Sequence, residues 1–302
     1  MFLHLNCLAL REDFMTPNAP RRERSGLLSL IYPAALIAVA TACVPALAAT
    51  VISYPDFSNV SGLTINGNAA QVGSALRVTP ATFSQAGSVF STNKVSLTSG
   101  ASFSTYFTFR FTSPGGSCDG LGCGADGIVF TVQTLANNVG GAGGGIGYFG
   151  IPNSLGVEFD NWWNPQVGDI DSNHLGIDLN GSVNSVTQIA INEADLNGGD
   201  VWSAWVDYNS ATDQLEVRTT RSAVRPAAPL LSYTVDLATV LGSTDAFVGF
   251  TSGTGAAFAN HDILSWQLND NFSPINPVPE PASLSLLGFA LLGFALAWRR
   301  RT

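Results

Sequence analysis

Residues 101–111 read ASFSTYFTFRF, and their alternation decides the fold class. Phe103, Thr105, Phe107, Phe109 and Phe111 fall on one face of an extended chain, with Ser104, Tyr106, Thr108 and Arg110 on the other. This is the pattern of a strand that buries one side. Outward from it, further strands are predicted in GIVFTVQ (127–133), LGVEFD (155–160), HLGIDL (174–179), VTQIAI (186–191), VWSAWVDY (201–208), QLEVRTT (214–220), DAFVGF (245–250) and DILSWQL (262–268). Clusters of Gly, Asn, Ser and Pro separate them, and no long 3.6-residue periodicity runs between Thr50 and Asn271. So many strands without intervening helices predict an all-β protein: one antiparallel β-sandwich of jelly-roll kind over residues 50–271.

The 302 residues include 18 Phe and 31 Gly and are 46% hydrophobic, too apolar and aromatic for a disordered chain. A formal net charge of -9 argues against a nucleic-acid partner, because binding phosphates needs a basic face. The basic residues crowd the ends, at Arg11, Arg21, Arg22 and Arg24 and again at Arg299, Arg300 and Arg301, which leaves the middle of the chain strongly acidic. Such a surface suits a soluble extracytoplasmic protein that gathers divalent cations, and it equally suits simple solubility.

Both ends read as targeting segments. After Arg24, the apolar run LLSLIYPAALIAVATA leads into VPALAA, where Ala46 and Ala48 form an A-x-A cleavage site, so residues 1–49 are expected to be a signal peptide. Met1 and Met15 are both candidate starts. Cys43 faintly matches a lipoprotein box, although Ala40 stands where a Leu is usual. At the other end a linker, 272–281, carries Pro279-Glu280-Pro281, and 282–302 is an apolar transmembrane or sorting helix closed by three arginines. The uncharged run Ala282–Trp298 would span about 25 Å as a helix, and the arginines would stay cytoplasmic. The tripeptide, helix and arginine cluster together resemble the PEP-CTERM sorting signal. That resemblance implies export through the inner membrane of a Gram-negative bacterium, transient anchoring, processing by an exosortase-type enzyme, and delivery to the cell surface. A plain C-terminal anchor is the alternative.

Cys7 and Cys43 fall in the leader, which leaves Cys118 and Cys123 in SCDGLGC to pair in an oxidising compartment and stiffen the approach to Ala125-Asp126-Gly127. Two thiols with no neighbouring His do not suggest a metal site.

The chemistry concentrates in VEFDNWWNPQVGDIDSNHLGIDL (157–179). In a strand Glu158 and Asp160 share one face while Val157 and Phe159 enter the core, and two carboxylates so placed repel unless a divalent cation lies between them. After a loop through Asn164 and Asp169, the chain re-enters a strand at His174, which faces away from the core-directed Leu175, Ile177 and Leu179. Carboxylates and an amide suit calcium, while the imidazole suits a transition metal such as manganese. The same residues also fit ordinary surface acids at strand ends.

That string resembles the metal-binding segment of legume (L-type) lectins, which implies a concanavalin A-like sandwich. By the resemblance, Glu158, Asp160, Asp169 and His174 would hold manganese, and Asp160, Asp169, Asn164 and the carbonyl of Trp162 would hold calcium. Asp171 competes with Asp169, but only Asp169 keeps the five-residue spacing to His174. ADGIVF resembles the family's sugar-binding strand, with Asp126 accepting sugar hydroxyls after a cis Ala125-Asp126 bond. GGGIGYFG resembles its glycine loop, with the Gly144 N–H as donor, and VGFTSGTGAAFANHDILSW its specificity loop, where Ala256 offers its backbone. Asn164 would bind the same hydroxyls and Trp162 would stack on the ring. Trp163 is bulkier than the family's usual residue, and Gly181 lengthens the stretch before Ser185, which puts a water-mediated role for that serine in question.

The resemblance implies a non-enzymatic, calcium- and manganese-dependent lectin for a polysaccharide or other glycan. A matrix or adhesion module without sugar binding is the alternative. A glycoside hydrolase of the same fold is disfavoured, because Trp163 stands where related glucanases place their second catalytic Glu. Homo-oligomers remain compatible with the sequence.

Overall fold

The computed structural model describes residues 50–138 and 143–277. The signal peptide and the sorting segment expected from the sequence lie outside these residues, apart from the start of the linker. Among the described residues no helix is long and apolar enough to cross a membrane.

The strands are β1 (Thr50–Tyr54), β2 (Leu63–Gly67), β3 (Ala70–Val72), β4 (Ala75–Thr79), β5 (Ala86–Ser91), β6 (Val95–Ser96), β7 (Phe103–Gly116), β8 (Gly127–Gln133), β9 (Ser154–Asp160), β10 (His174–Leu179), β11 (Thr187–Ala190), β12 (Trp202–Asn209), β13 (Gln214–Thr220), β14 (Leu231–Thr234), β15 (Asp245–Gly253) and β16 (Ala257–Asn269). They form two eight-stranded antiparallel sheets. One runs β14-β13-β12-β7-β16-β4-β3 with β1 also on β16, and the other runs β11-β10-β9-β8-β15-β5-β2 with β6 also on β15. The α-helix among the described residues is a single short turn, α1 (Leu237–Leu241), capped by Asp236, whose side chain accepts from the Thr239 N–H.

The core between the sheets is aromatic. Phe107 of β7 meets Phe250 of β15 edge-on with centroids 5.0 Å apart, and Phe109 meets Phe159 of β9 at 4.9 Å. Phe103, Phe107, Phe109 and Phe111 are all fully buried, and each is worth roughly 1.5–3 kcal/mol of transfer free energy.

One expectation fails on β7. Its outward face is only partly open to water: Ser104 and Tyr106 are buried, while Thr108 and Arg110 are half-buried. The chain returns over this face. The Ser273 N–H donates to Ser104 Oγ at 3.0 Å, Tyr106 packs on Trp205 at 5.0 Å, and residues 221–230 cross β13 so that Arg225 reaches Asp207 of β12 at 2.7 Å.

The second sheet is also covered on its outer side. Val129 packs there with Ile146, Tyr148, Ile151 and Val183 in a small separate cluster. The segment 143–151 is thus pinned on the sheet beside the outward face of β9.

Candidate functional site

Register builds the site. In the β9–β10 ladder His174 lies opposite Asp160 and Gly176 opposite Glu158, while β8 places Gly127 opposite Asp160. Directly opposed residues share a face, so Glu158, Asp160 and His174 emerge together on the outer side, away from the aromatic core. Gly176 is required by close approach, because a methyl there would overlap Glu158 Oε1 and Ser185 Oγ. The loop from Asn161 to Asn173 makes a short 3-10 turn at Pro165–Val167 and reverses at Gly168, whose φ is 98°.

Carboxylates hold that loop in place. Asp160 Oδ1 accepts the Trp162 N–H and Asp169 Oδ2 the Asn164 N–H, both at 2.6 Å, and Trp163 Nε1 donates to the Asp169 carbonyl at 3.0 Å. Ligand atoms of Asp160, Asp169 and His174 all lie within 4.8 Å of one another. His174 Nε2 is 3.5 Å from Glu158 Oε1 and 4.0 Å from Asp169 Oδ1. On the other side of the ring, Nδ1 is 3.0 Å from the Asp171 carbonyl. A carbonyl only accepts, so Nδ1 carries a proton, and Nε2 is the ring nitrogen that faces the acids. Asp171 therefore serves the far ring nitrogen, and Asp169 is the one facing the cluster.

Burial dominates the electrostatics. It raises the Asp160 carboxyl well above its ordinary range, helped by the charges of Glu158 and Asp169, and it lifts Asp169 to about 6 and Asp126 to about 7. Burial works against a charge on His174, but the Glu158 carboxyl and the charges of Asp169 and Asp171 outweigh it and leave the imidazole raised. Among the described residues no Lys or Arg pairs with these acids. Asp126 Oδ2, Asn164 Oδ1, Asp178 Oδ2 and His174 Nε2 are buried without hydrogen-bond partners. Unpaired donors and acceptors of that kind are costly, and an oxygen-rich set with one imidazole fits a divalent cation.

Asp126, only 4% exposed, sits where β8 begins, after a cis Ala125-Asp126 bond, and its N–H donates to the Gly253 carbonyl at 3.1 Å. Gly144 packs on Asn164, with room for a methyl only 3.1 Å from Asn164 Oδ1. Both line a cavity of about 340 Å³ with Phe149, Gln166 and Val167. Trp162 is half-buried. The Ala256 carbonyl is already taken by the Ser117 N–H at 2.8 Å.

Residues 50–283 match the legume lectin domain, and 277–301 match the PEP-CTERM protein-sorting motif. The chain belongs to the legume lectin domain family. It is 33% identical to the L-type lectin-domain containing receptor kinase VIII.1 of Arabidopsis thaliana over 66% of this chain but 27% of that protein, and 36% identical to the receptor kinase SIT2 of Oryza sativa subsp. japonica over 47% and 25%. The chain thus matches about a quarter of the length of these two curated relatives. Among solved structures, a lectin from Bauhinia forficata in complex with GalNAc superposes with a TM-score of 0.63 at 25% identity, covering 73% of this chain and 98% of that one. The metal-free form of lectin I-B4 from Griffonia simplicifolia gives 0.61 at 26% identity, covering 72% and 98%. Membership implies non-catalytic carbohydrate binding, and the sorting motif implies export.

The lectin domain brings to the site three residues that the sequence reading did not place there. Ser185 Oγ reaches Glu158 Oε1 at 2.6 Å and Asp178 Oδ1 at 2.8 Å, so the inserted Gly181, at φ 75°, turns the chain without carrying the serine away. Asp178 was readable only as part of HLGIDL. Its outward direction on β10, the same as that of His174, was the available signal. Phe149, 70% exposed, is the third, hidden in a glycine-rich loop. Cys118 and Cys123 are joined in a disulfide, and Asp119 between them accepts the Trp163 N–H at 3.3 Å.

Proposed function

We propose that this chain is an exported lectin whose carbohydrate site is ordered by calcium and by manganese or another transition metal. Glu158, Asp160, Asp169 and His174 would hold the transition metal. Asp160, Asp169, Asn164 and the Trp162 carbonyl would hold calcium. The observation that carries this reading is His174 Nε2, buried without a hydrogen-bond partner and facing acids that no Lys or Arg among the described residues pairs.

Asp126 and Asn164 would then meet vicinal sugar hydroxyls, Gly144 and Ala256 would contribute backbone groups, and Trp162 would cover the apolar ring face. A half-exposed monosaccharide of about 12 heavy atoms at roughly 0.3 kcal/mol each corresponds to millimolar affinity. Repeated contacts, along a polymer or between copies, would make the binding useful. The signal peptide over 1–49, the domain over 50–271 and the segment 282–302 fit delivery to the cell surface or exopolysaccharide matrix, with exosortase-type processing near Pro279 and transient anchoring before it.

Calorimetry with calcium and manganese, before and after chelation, tests the metals, and a glycan array with and without EDTA tests the sugar. Uptake of both ions with EDTA-sensitive glycan retention is expected. A chain that takes up neither ion and retains no glycan would instead be a structural matrix module.

A further inference from the structure

A second concavity, of about 700 Å³, is bordered by the ligand loop at Trp163 and Ile170 and shares no lining residue with the cavity at Asn164 and Gly144. Leu121, Trp163 and Ile170 line it and are 57%, 51% and 51% exposed, an unusual concentration of large apolar side chains at the surface. Asp171, Asn192 and Asp195 stand among them. Trp163 is not a loose side chain: its indole N–H is tied to the Asp169 carbonyl and its backbone N–H to Asp119 of the disulfide loop. The ring is therefore presented in one orientation while half its surface stays open.

We infer that this groove is a second subsite for a neutral hexose polymer, receiving a sugar residue beyond the one held at Asp126 and Asn164. The inference rests on the carbohydrate-binding reading above. An apolar platform interleaved with acceptors is the complement of a pyranose, which offers C–H faces and hydroxyl donors. Charge narrows the class. The lining contains no Lys or Arg, and Asp119, Asp171 and Asp195 surround the platform, so a uronate or sulfated chain would be repelled. Continuity supports the same occupant. Trp163 lies between Trp162 and Asn164 in sequence, so a chain leaving the first site reaches the platform by crossing one residue. The weak affinity expected for one sugar is also what a contiguous subsite would remedy.

Titration of the full chain with linear neutral gluco-, manno- and galacto-oligosaccharides of increasing length, with calcium and manganese present, provides the test. Trp163→Ala, Ile170→Ser and Leu121→Ser are measured alongside, with an oligogalacturonate as the anionic control. For the wild type, affinity should rise about tenfold from monosaccharide to short oligomer. Ile170→Ser and Leu121→Ser should erase most of that gain while monosaccharide binding stays within about twofold, and Trp163→Ala should erase all of it. A length gain that survives all three substitutions overturns the groove. Loss of monosaccharide binding in both serine variants overturns its independence from the first site. A gain confined to the galacturonate overturns the charge argument, and a wild type that binds neither monomer nor oligomer overturns the carbohydrate reading along with the subsite.

Discussion

Among the carboxylates the domain buries, two groups on the outer faces of opposite sheets are treated in opposite ways. On the first sheet Asp207 is fully buried, but Arg225 Nη2 lies 2.7 Å away and Arg218 Nη1 3.6 Å away, with Glu216 completing the set at 2.9 Å from Arg218. Burial raises the Asp207 carboxyl and the two guanidinia oppose it. On the second sheet Glu158, Asp160, Asp169 and Asp178 crowd together with, among the described residues, no basic side chain except His174. The first cluster is an ion-pair network in which arginines meet the acids and fasten the 221–230 segment to β12. The second is an arrangement in which like charges are left for something outside the chain to neutralise. Proximity of buried acids therefore says little by itself, and the identity of their partners separates a structural clasp from a ligand site.

The sharpest way to break this comparison is at Asp126. Asp126→Ala should abolish glycan retention on an immobilised-sugar column while leaving the melting temperature nearly unchanged, and equal retention would contradict the proposed site. Next, Asp207→Ala should cost about 3 kcal/mol in denaturant unfolding, because Arg225 would lose its counter-charge and the buried Arg218 would keep only Glu216. Asp160→Asn should do the reverse in EDTA, holding or raising stability by removing one like charge while eliminating metal uptake in calorimetry. Equal destabilisation by the two substitutions would erase the distinction.

The pH response should be smaller and of definite sign. Folded Asp126 and Asp169 sit at about 7 and about 6 against 3.8 when free. The metal-free fold thus holds their protons more tightly than the unfolded chain does, and its melting temperature in EDTA should fall as pH rises from about 4 to about 7. The raised His174 acts in the same direction, its contribution being lost as pH rises through its folded value. Calcium and manganese should flatten the slope at the neutral end, and a melting temperature that rises through this window in EDTA would refute the electrostatic picture. Smallest of all, the paired Cys118→Ser and Cys123→Ser substitution should lower stability by only roughly 2 kcal/mol, since the loop it closes is short.

The ligand strand was legible because its chemistry is local. Glu158 and Asp160 alternate with Val157 and Phe159, and period two alone puts them on one face. His174 follows from the same rule on the next strand. Ser185 was not legible, because its meeting with Glu158 and Asp178 depends on how the chain turns at Gly181, and Gly181 could be read as carrying it off. The outward face of β7 misled for a related reason. Ser104 and Tyr106 alternate as solvent-facing residues should, and nothing local announces that residues 221–230 and Ser273 come back to cover them.

By itself, then, the sequence determined the sandwich, the two opposed faces of each strand and the residue types able to bind a cation, since all three follow from alternation and side-chain chemistry within a few residues. Tertiary structure decided which acids are neutralised by arginines and which are left facing His174, and it gathered Leu121, Trp163 and Ile170 around one groove. Those outcomes depend on strand register and on loops closing across long stretches of chain, where no short-range periodicity carries the information.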